Sequence, residues 1–354
     1  MEKEKTIVVG FDVGGAHLKV ARAEAGRIVA AQTFATPLWQ GLGSLVAALD
    51  TAAALHADAG GHAFTMTGEL SDVFASREEG VAGLLSVIAR HFPENGTRIY
   101  AGRSGFVGFA QAGRLAADIA SANWHATASL VARRAGDALF VDMGSTTTDI
   151  LAAKAGALAN DGYTDAERLL SGELVYTGFT RTFLFGVASS APVRGRMTPL
   201  MNEYFASMAD AHRILGLLDE KDDKHATADG KEKTVAGSIA RLARMVGRDG
   251  AELTPEEWRG VAGWFSERQL RTVHDAAVLV AAKLPADAPV VGAGTGRRQI
   301  VRLAERMRRR FIDFADLIPA DDAVREEASS AAPACAVALL AGVQSESAAG
   351  SLKA

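Results

Sequence analysis

Residues 10–21 read GFDVGGAHLKVA, and residues 142–150 read DMGSTTTDI. The first lies on the apolar run TIVVGFDV (6–13), the second on ALFVDM (138–143). In both, an apolar strand reaches an Asp, turns through Gly and a small residue, and resumes as a strand. Setting Asp12 on Asp142 brings Gly14 onto Gly144, Gly15 onto Ser145, Lys19 onto Asp149 and Val20 onto Ile150, an offset of 130 residues. Two such units at one long offset predict a duplicated α/β core, not a short-period solenoid. A length of 354 residues also suits two domains, at ~100–200 residues each. The division is expected near residue 137, giving an N-terminal α/β domain over 1–137 and a C-terminal one over 138–354.

Working outward, 43–58, 77–92 and 121–135 read as helices, with Ser76 capping the second ahead of Glu78 and Glu79. Short apolar runs at 62–66 and 97–101 read as further strands. Residues 219–234, DEKDDKHATADGKEKT, are charged and poor in apolar residues, which predicts a solvated surface loop. Segments 236–249 and 254–284 are helical in pattern, the latter opening on Thr254-Pro255-Glu256-Glu257. They place a helical insertion at about 200–285 within the second domain. Residues 289–296, PVVGAGTG, form a third strand-to-glycine turn, followed by a basic helix over 297–311. An Ala-rich helix over about 327–343 is expected to pack back on the first domain.

The composition excludes several classes of function. A formal charge of −4 and a pI near 6.1 argue against a nucleic-acid partner held by bulk electrostatics. No apolar run approaches the ~18 residues of a membrane helix, so no membrane span is expected. MEKEKTIVVG carries no signal-like apolar region, which predicts a cytoplasmic protein. The single cysteine, Cys335, cannot form an internal disulfide and reads as packed core. With no histidine pair at helical i, i+4 spacing, a histidine zinc site is not expected.

The two hairpins carry the chemistry. A strand that turns back through Gly or Ser turns several backbone N–H groups toward one concavity, and such a nest binds phosphate oxygens. Gly14, Gly15 and Gly144 let backbone approach an anion, while Ser145, Thr146 and Thr147 add hydroxyl donors. Asp12 and Asp142 would repel phosphate, so their expected role is to hold Mg²⁺, directly or through water. Gly292, Gly294 and Gly296 make a G-x-G-x-G turn, which is neither the dinucleotide fingerprint nor a P-loop. It reads either as a tight strand-to-helix connection or as a further anion contact at a helix N-terminus.

Two Asp/Gly hairpins followed by a late GAGTG turn resemble the acetate kinase, sugar kinase, Hsp70 and actin superfamily. The chain is more similar to its hydantoinase A/oxoprolinase-like branch. There, GFDVGGAHLKVA, MTGELSD (66–72), DMGSTTTDI, LLSGELVYTGFTRT (169–182), DAHRILG (210–216) and TADGKEK (227–233) resemble proteins linked to tetrahydromethanopterin C1 transfer. The resemblance implies a two-domain, actin-like (ribonuclease H-like) duplicated α/β fold with an interdomain cleft. It also implies methanofuran or methylofuran biosynthesis by a transferase. An aminomethylfuran-methyl diphosphate would be joined to γ-glutamyl-tyramine as an aryl ether, with pyrophosphate released.

That reaction needs charge stabilisation at the diphosphate and help for a phenol whose pKa is about 10. Asp12, Asp149 and Lys19 are the catalytic candidates, since each lies at or beside a nest. Arg181 is expected to clamp glutamyl carboxylates or the diphosphate in its fork. Glu69, Asp72 and Glu173 are assigned to the substrate, and TADGKEK to a mobile lid. The expected partners are a small-molecule diphosphate and a phenolic amine, with homo-oligomerisation left open. The competing readings are an ATP-dependent kinase or oxoprolinase-like hydrolase, and a non-catalytic assembly protein of the actin type.

Overall fold

TIVVGFDV folds as strand β1 (Ile7–Val13) and returns through Gly14 and Gly15 as β2 (His17–Glu24) in the computed structural model, which describes residues 6–351. Strands β3 (Arg27–Ala35), β4 (Gly61–Met66), β5 (Thr97–Tyr100) and β6 (Phe106–Val107) complete a sheet ordered β3-β2-β1-β4-β5-β6. β1 pairs antiparallel with β2 and parallel with β4. Alternation along β1 sends Val9, Phe11 and Val13 into a core shared with Leu18, Phe64, Leu84 and Ile88. On the other face Gly10 meets the helix Ala332–Ser351, which lies against β1, β2 and β4. Cys335, on that helix, is fully buried. The helix Arg77–His91 starts as its sequence dictates, Ser76 Oγ accepting from the Glu79 amide.

The second sheet repeats the plan. β7 (Ala138–Met143), β8 (Thr148–Lys154), β9 (Ala157–Leu158) and β10 (Leu174–Val175) precede the insertion, which carries the hairpin of β11 (Ser190–Val193) and β12 (Arg196–Pro199). After it come β13 (Val290–Ala293) and β14 (Phe311–Asp313). The order is β10-β8-β7-β13-β14, position for position that of β3-β2-β1-β4-β5. β7 and β13 are parallel, as are β1 and β4.

The chain divides into two units, one formed by residues up to 136, 153–158 and 312 onward, the other by 137–152 and 159–311. The expected 138–354 domain is therefore too broad, because the chain leaves the second unit twice. The insertion is also placed differently. Its own core runs from Leu184 to Phe265 and includes Val193, Met208, Leu242 and Trp258. The expected bounds of 200–285 fail because one long helix, Pro255–Ala281, serves two cores, with Leu270, Val273, Ala277 and Val280 packing with the sheet residues. Among the described residues, no helix is long and apolar enough to cross a membrane.

Candidate functional site

The two hairpin turns close with the same bond. Gly14 N donates to His17 O at 2.9 Å, and Gly144 N donates to Thr147 O at 2.9 Å. The space beside Gly15 is open, with nothing within 4 Å of where a Cβ would stand. Asp12 faces Lys19 across the β1–β2 pair, and Lys19 Nζ lies 3.5 Å from the buried carboxylate.

A second correspondence was not visible in the sequence. Thr67 N donates to Val13 O and Gly296 N donates to Met143 O, both at 2.9 Å. MTGELSD thus holds in the first unit the place that GAGTG holds in the second. Within MTGELSD the two acids diverge. Glu69 is buried, accepts from Ser121 Oγ at 2.8 Å, and its backbone packs against Gly80. Asp72 is exposed, so the two acids stand in different surroundings.

The GAGTG glycines are each packed closely against protein neighbours. Gly292 lies inside β13 opposite Val141, and its missing side chain makes room for Phe311, 2.5 Å from the Cβ position. Gly294 has φ +83° and approaches Met143 O at 2.3 Å and Asp142 Oδ1 at 2.4 Å, measured from the Cβ position. Gly296 accommodates the Met143 side chain. A side chain at 294 would fill the space that the Asp142 carboxylate occupies.

In GELVYTGFTRT, Glu173 is a structural clamp and not a substrate ligand. It is fully buried and accepts from the amides of Asp161 at 2.7 Å and Gly162 at 2.8 Å, from Ser171 Oγ at 2.9 Å and from Lys283 Nζ at 3.0 Å. Glu173→Gln keeps the volume but breaks the ion pair, so it should lower unfolding free energy by ~2 kcal/mol in a urea titration. Asp149 is also engaged by the fold. Its carboxylate forms a short ion pair with the buried Arg168, which also donates to Glu173 O. Held in that way, it joins β8 to the helix Asp165–Ser171.

The following loop lies on the second hairpin. A Cβ on Gly178 would stand 2.4 Å from Thr146 N and 2.5 Å from Ser145 O. Phe179 N donates to Gly144 O and Arg181 N to Ser145 O, each at 2.8 Å. Arg181 Nη1 lies 3.3 Å from Thr146 Oγ1. Burial pulls the Arg181 guanidinium below its usual range, opposed by Tyr176 and Tyr204. The Tyr204 ring stands 4.2 Å from that of Phe183. An arginine, hydroxyls and hairpin backbone thus converge at one loop crossing, a combination suited to an anion.

Segment 219–234 is a largely exposed loop, as its composition predicts, and two of its acids tie it to neighbouring helices. Asp223 accepts from Arg213 at 2.7 Å, while Asp229 meets Arg241 at 3.1 Å and Arg244 at 3.2 Å. Arg213 and Arg241 also meet Asp210, at 3.6 and 2.8 Å. His225 has its imidazole pushed down to about 4, by burial first and then by Arg181.

DAHRILG supplies both anchors and a buried imidazole. Burial, with Arg302 adding to it, pushes His212 down to about 4, against the bond to Phe179 O that raises it. The unfolded chain therefore binds a proton that the folded chain resists between pH 6.5 and 4. Stability is fully present above pH 6.5 and falls as pH drops through that window. From pH 7 to pH 5 the loss at this site should be ~2 kcal/mol, read from urea midpoints and diminished in His212→Asn.

Asp142 suits a magnesium site, since Mg²⁺ commonly takes one or two carboxylates, waters and substrate phosphates. Its carboxylate sits in a cradle that only a glycine at 294 leaves open, beside a hydroxyl-bearing turn. Among the described residues, no group of three or more His, Cys, Asp or Glu could cage a metal.

The chain is similar to known proteins along most of its length. It is 28% identical over 337 residues to the Methanocaldococcus jannaschii (4-{4-[2-(γ-L-glutamylamino)ethyl]phenoxymethyl}furan-2-yl)methanamine synthase, covering 95% of this chain and 98% of that protein. A Methanococcus vannielii protein of the same name is 34% identical over 124 residues, 35% of this chain and 55% of that one. Among solved structures, a nucleotide-free acetone carboxylase superposes with a TM-score of 0.54 at 11% identity, over 94% of this chain and 70% of that one. This likeness supports the two-domain actin-like α/β fold that the paired sheet orders indicate. Residues 61–309 match the hydantoinase/oxoprolinase family, and the chain is a member of that family.

Proposed function

We propose that the protein is an aryl-ether-forming transferase of methanofuran or methylofuran biosynthesis. The phenolic oxygen of γ-glutamyl-tyramine attacks the methylene of an aminomethylfuran-methyl diphosphate. The new C–O bond forms as the bond to the diphosphate breaks, pyrophosphate leaves with the electron pair, and the phenol proton is lost. The observation that carries this reading is the end-to-end similarity to the M. jannaschii synthase.

The local geometry supports it. Each hairpin is a proposed phosphate-binding turn within its own unit, the first through the backbone of Gly14 and Gly15, the second through Gly144 and the hydroxyls of Ser145, Thr146 and Thr147. Donors fixed before reaction stabilise developing charge without reorganising. Arg181 is assigned to an anionic group of substrate, and the Asp12–Lys19 pair to proton handling. Mg²⁺, held at Asp142 and the diphosphate, would supply neutralisation of the leaving group.

The test is incubation of the purified protein with the furan diphosphate, γ-glutamyl-tyramine and Mg²⁺. Ether and pyrophosphate are expected in equal amounts without ATP, with loss of turnover in EDTA and recovery on adding Mg²⁺. Absence of ether, or ATP consumption without it, overturns the proposal.

A further inference from the structure

We propose that His212 is a positioning residue that, through the Phe179 carbonyl, sets the loop bearing Arg181 on the second hairpin. His212 is fully buried on the helix Met208–Leu215. Its Nδ1 lies 2.8 Å from Phe179 O. A carbonyl only accepts, so Nδ1 carries the hydrogen and Nε2 is left as an acceptor. Gln299 Nε2, 3.0 Å away, donates to it, and the same amide nitrogen lies 2.7 Å from Ser266 Oγ. Gln299 Oε1 in turn accepts from Arg302 at 2.8 Å, which fixes the amide's orientation. The donors therefore run one way, from Arg302 through Gln299 and His212 to Phe179, and the chain closes only with neutral His212 in one tautomer.

What this chain holds is the loop of the candidate site. The imidazole stacks on the Phe179 ring at 4.1 Å. Phe179 N bonds to Gly144 O, and two residues on Arg181 N bonds to Ser145 O. Gln269 secures the neighbouring Gly178 O at 2.8 Å. Gln299 stands on the helix Arg297–Arg306, which follows GAGTG directly. His212 thereby ties the arginine loop to the helix behind the third glycine turn, using DAHRILG, a motif the proposed chemistry does not otherwise employ.

The activity arm of the test rests on the proposed ether synthesis, whereas the exchange arm does not. His212→Phe retains the ring stack and loses both bonds. His212→Asn can place an amide N–H near the Nδ1 position and restore the bond to Phe179 O. In His212→Phe, amide exchange at 178–182 should accelerate while the Arg77–His91 helix exchanges as before. Where wild type makes ether, kcat/KM should fall about 10- to 100-fold, with substantial recovery in His212→Asn. Combining His212→Phe with Arg181→Met should add little to the loss caused by Arg181→Met alone, because both remove the same function.

Wild-type exchange at 178–182 in His212→Phe overturns the proposal, as do losses that multiply in the double variant. If His212→Phe does not fold, Gln299→Leu removes the orienting amide from the other side, and unchanged exchange there overturns it equally. A wild-type protein that makes no ether refutes the functional reading, while the exchange comparison still decides the role of His212.

Discussion

Arg181→Met is expected to lower kcat/KM for ether formation about 100- to 1,000-fold, the range for removing one preorganised charge-stabilising donor, while leaving the thermal midpoint nearly unchanged. The contrast with nearby arginines motivates the split. Burial pulls Arg213 down as well, but Glu220 and Asp223 outweigh it and hold the guanidinium above its usual range. Arg181 goes the other way: burial dominates and holds it below. A positive charge that the fold disfavours contributes little stability, so an apolar side chain of similar length is tolerated. The same burial makes an arriving anion interact more strongly than at a solvated arginine. Initial rates and a thermal melt on one preparation decide the point. Near-wild-type turnover removes Arg181 from the site, and a large fall in the midpoint makes it structural.

The hairpins were legible because their design is local: an apolar strand, an acid, a glycine and a return strand lie within a dozen residues. The offset of 130 residues then extended that local reading to the whole fold, and the matching Gly14–His17 and Gly144–Thr147 bonds are its physical counterpart. Caps were legible for the same reason; Thr254 and Glu257 form their reciprocal capping box within four residues. The roles of the acids were not, because an acid's role depends on partners distant in sequence. Glu173 meets Lys283, 110 residues away, and Asp149 meets Arg168, so two carboxylates that looked available are engaged in holding the sheet edge. The equivalence of MTGELSD and GAGTG lies in one backbone bond to the strand beside it, not in shared residue types. His212 lies within DAHRILG, but its role was not legible, because a lone histidine on a helix carries no spacing signal and only the carbonyl and amide around it define its tautomer.

Gly10→Ala should be the most damaging single-methyl change in the first unit, lowering unfolding free energy by ~3 kcal/mol or more. Gly10 has no positive φ to explain it, so the requirement is one of space. A Cβ there would stand 2.0 Å from Ala334 O, 2.8 Å from Ala338 N and 3.0 Å from Ala338 Cβ. Two of these are backbone atoms of a helix, so no rotamer change can relieve the clash. Either the helix Ala332–Ser351 lifts from β1 or the strand bends. The facing helical positions, Ala334 and Ala338, are themselves small and fully buried, as is Cys335, which the close approach of helix to strand demands. Gly260→Ala provides the control. It lies exposed within the helix Pro255–Ala281 with nothing within 4 Å of its Cβ position, so the same methyl should stabilise by ~0.5–1 kcal/mol through helix propensity. Urea unfolding of the two variants beside wild type reads both signs at once. If Gly10→Ala unfolds at the wild-type midpoint, the helix is not seated on β1 at Gly10 and the helix-covered face of the first sheet must be redrawn.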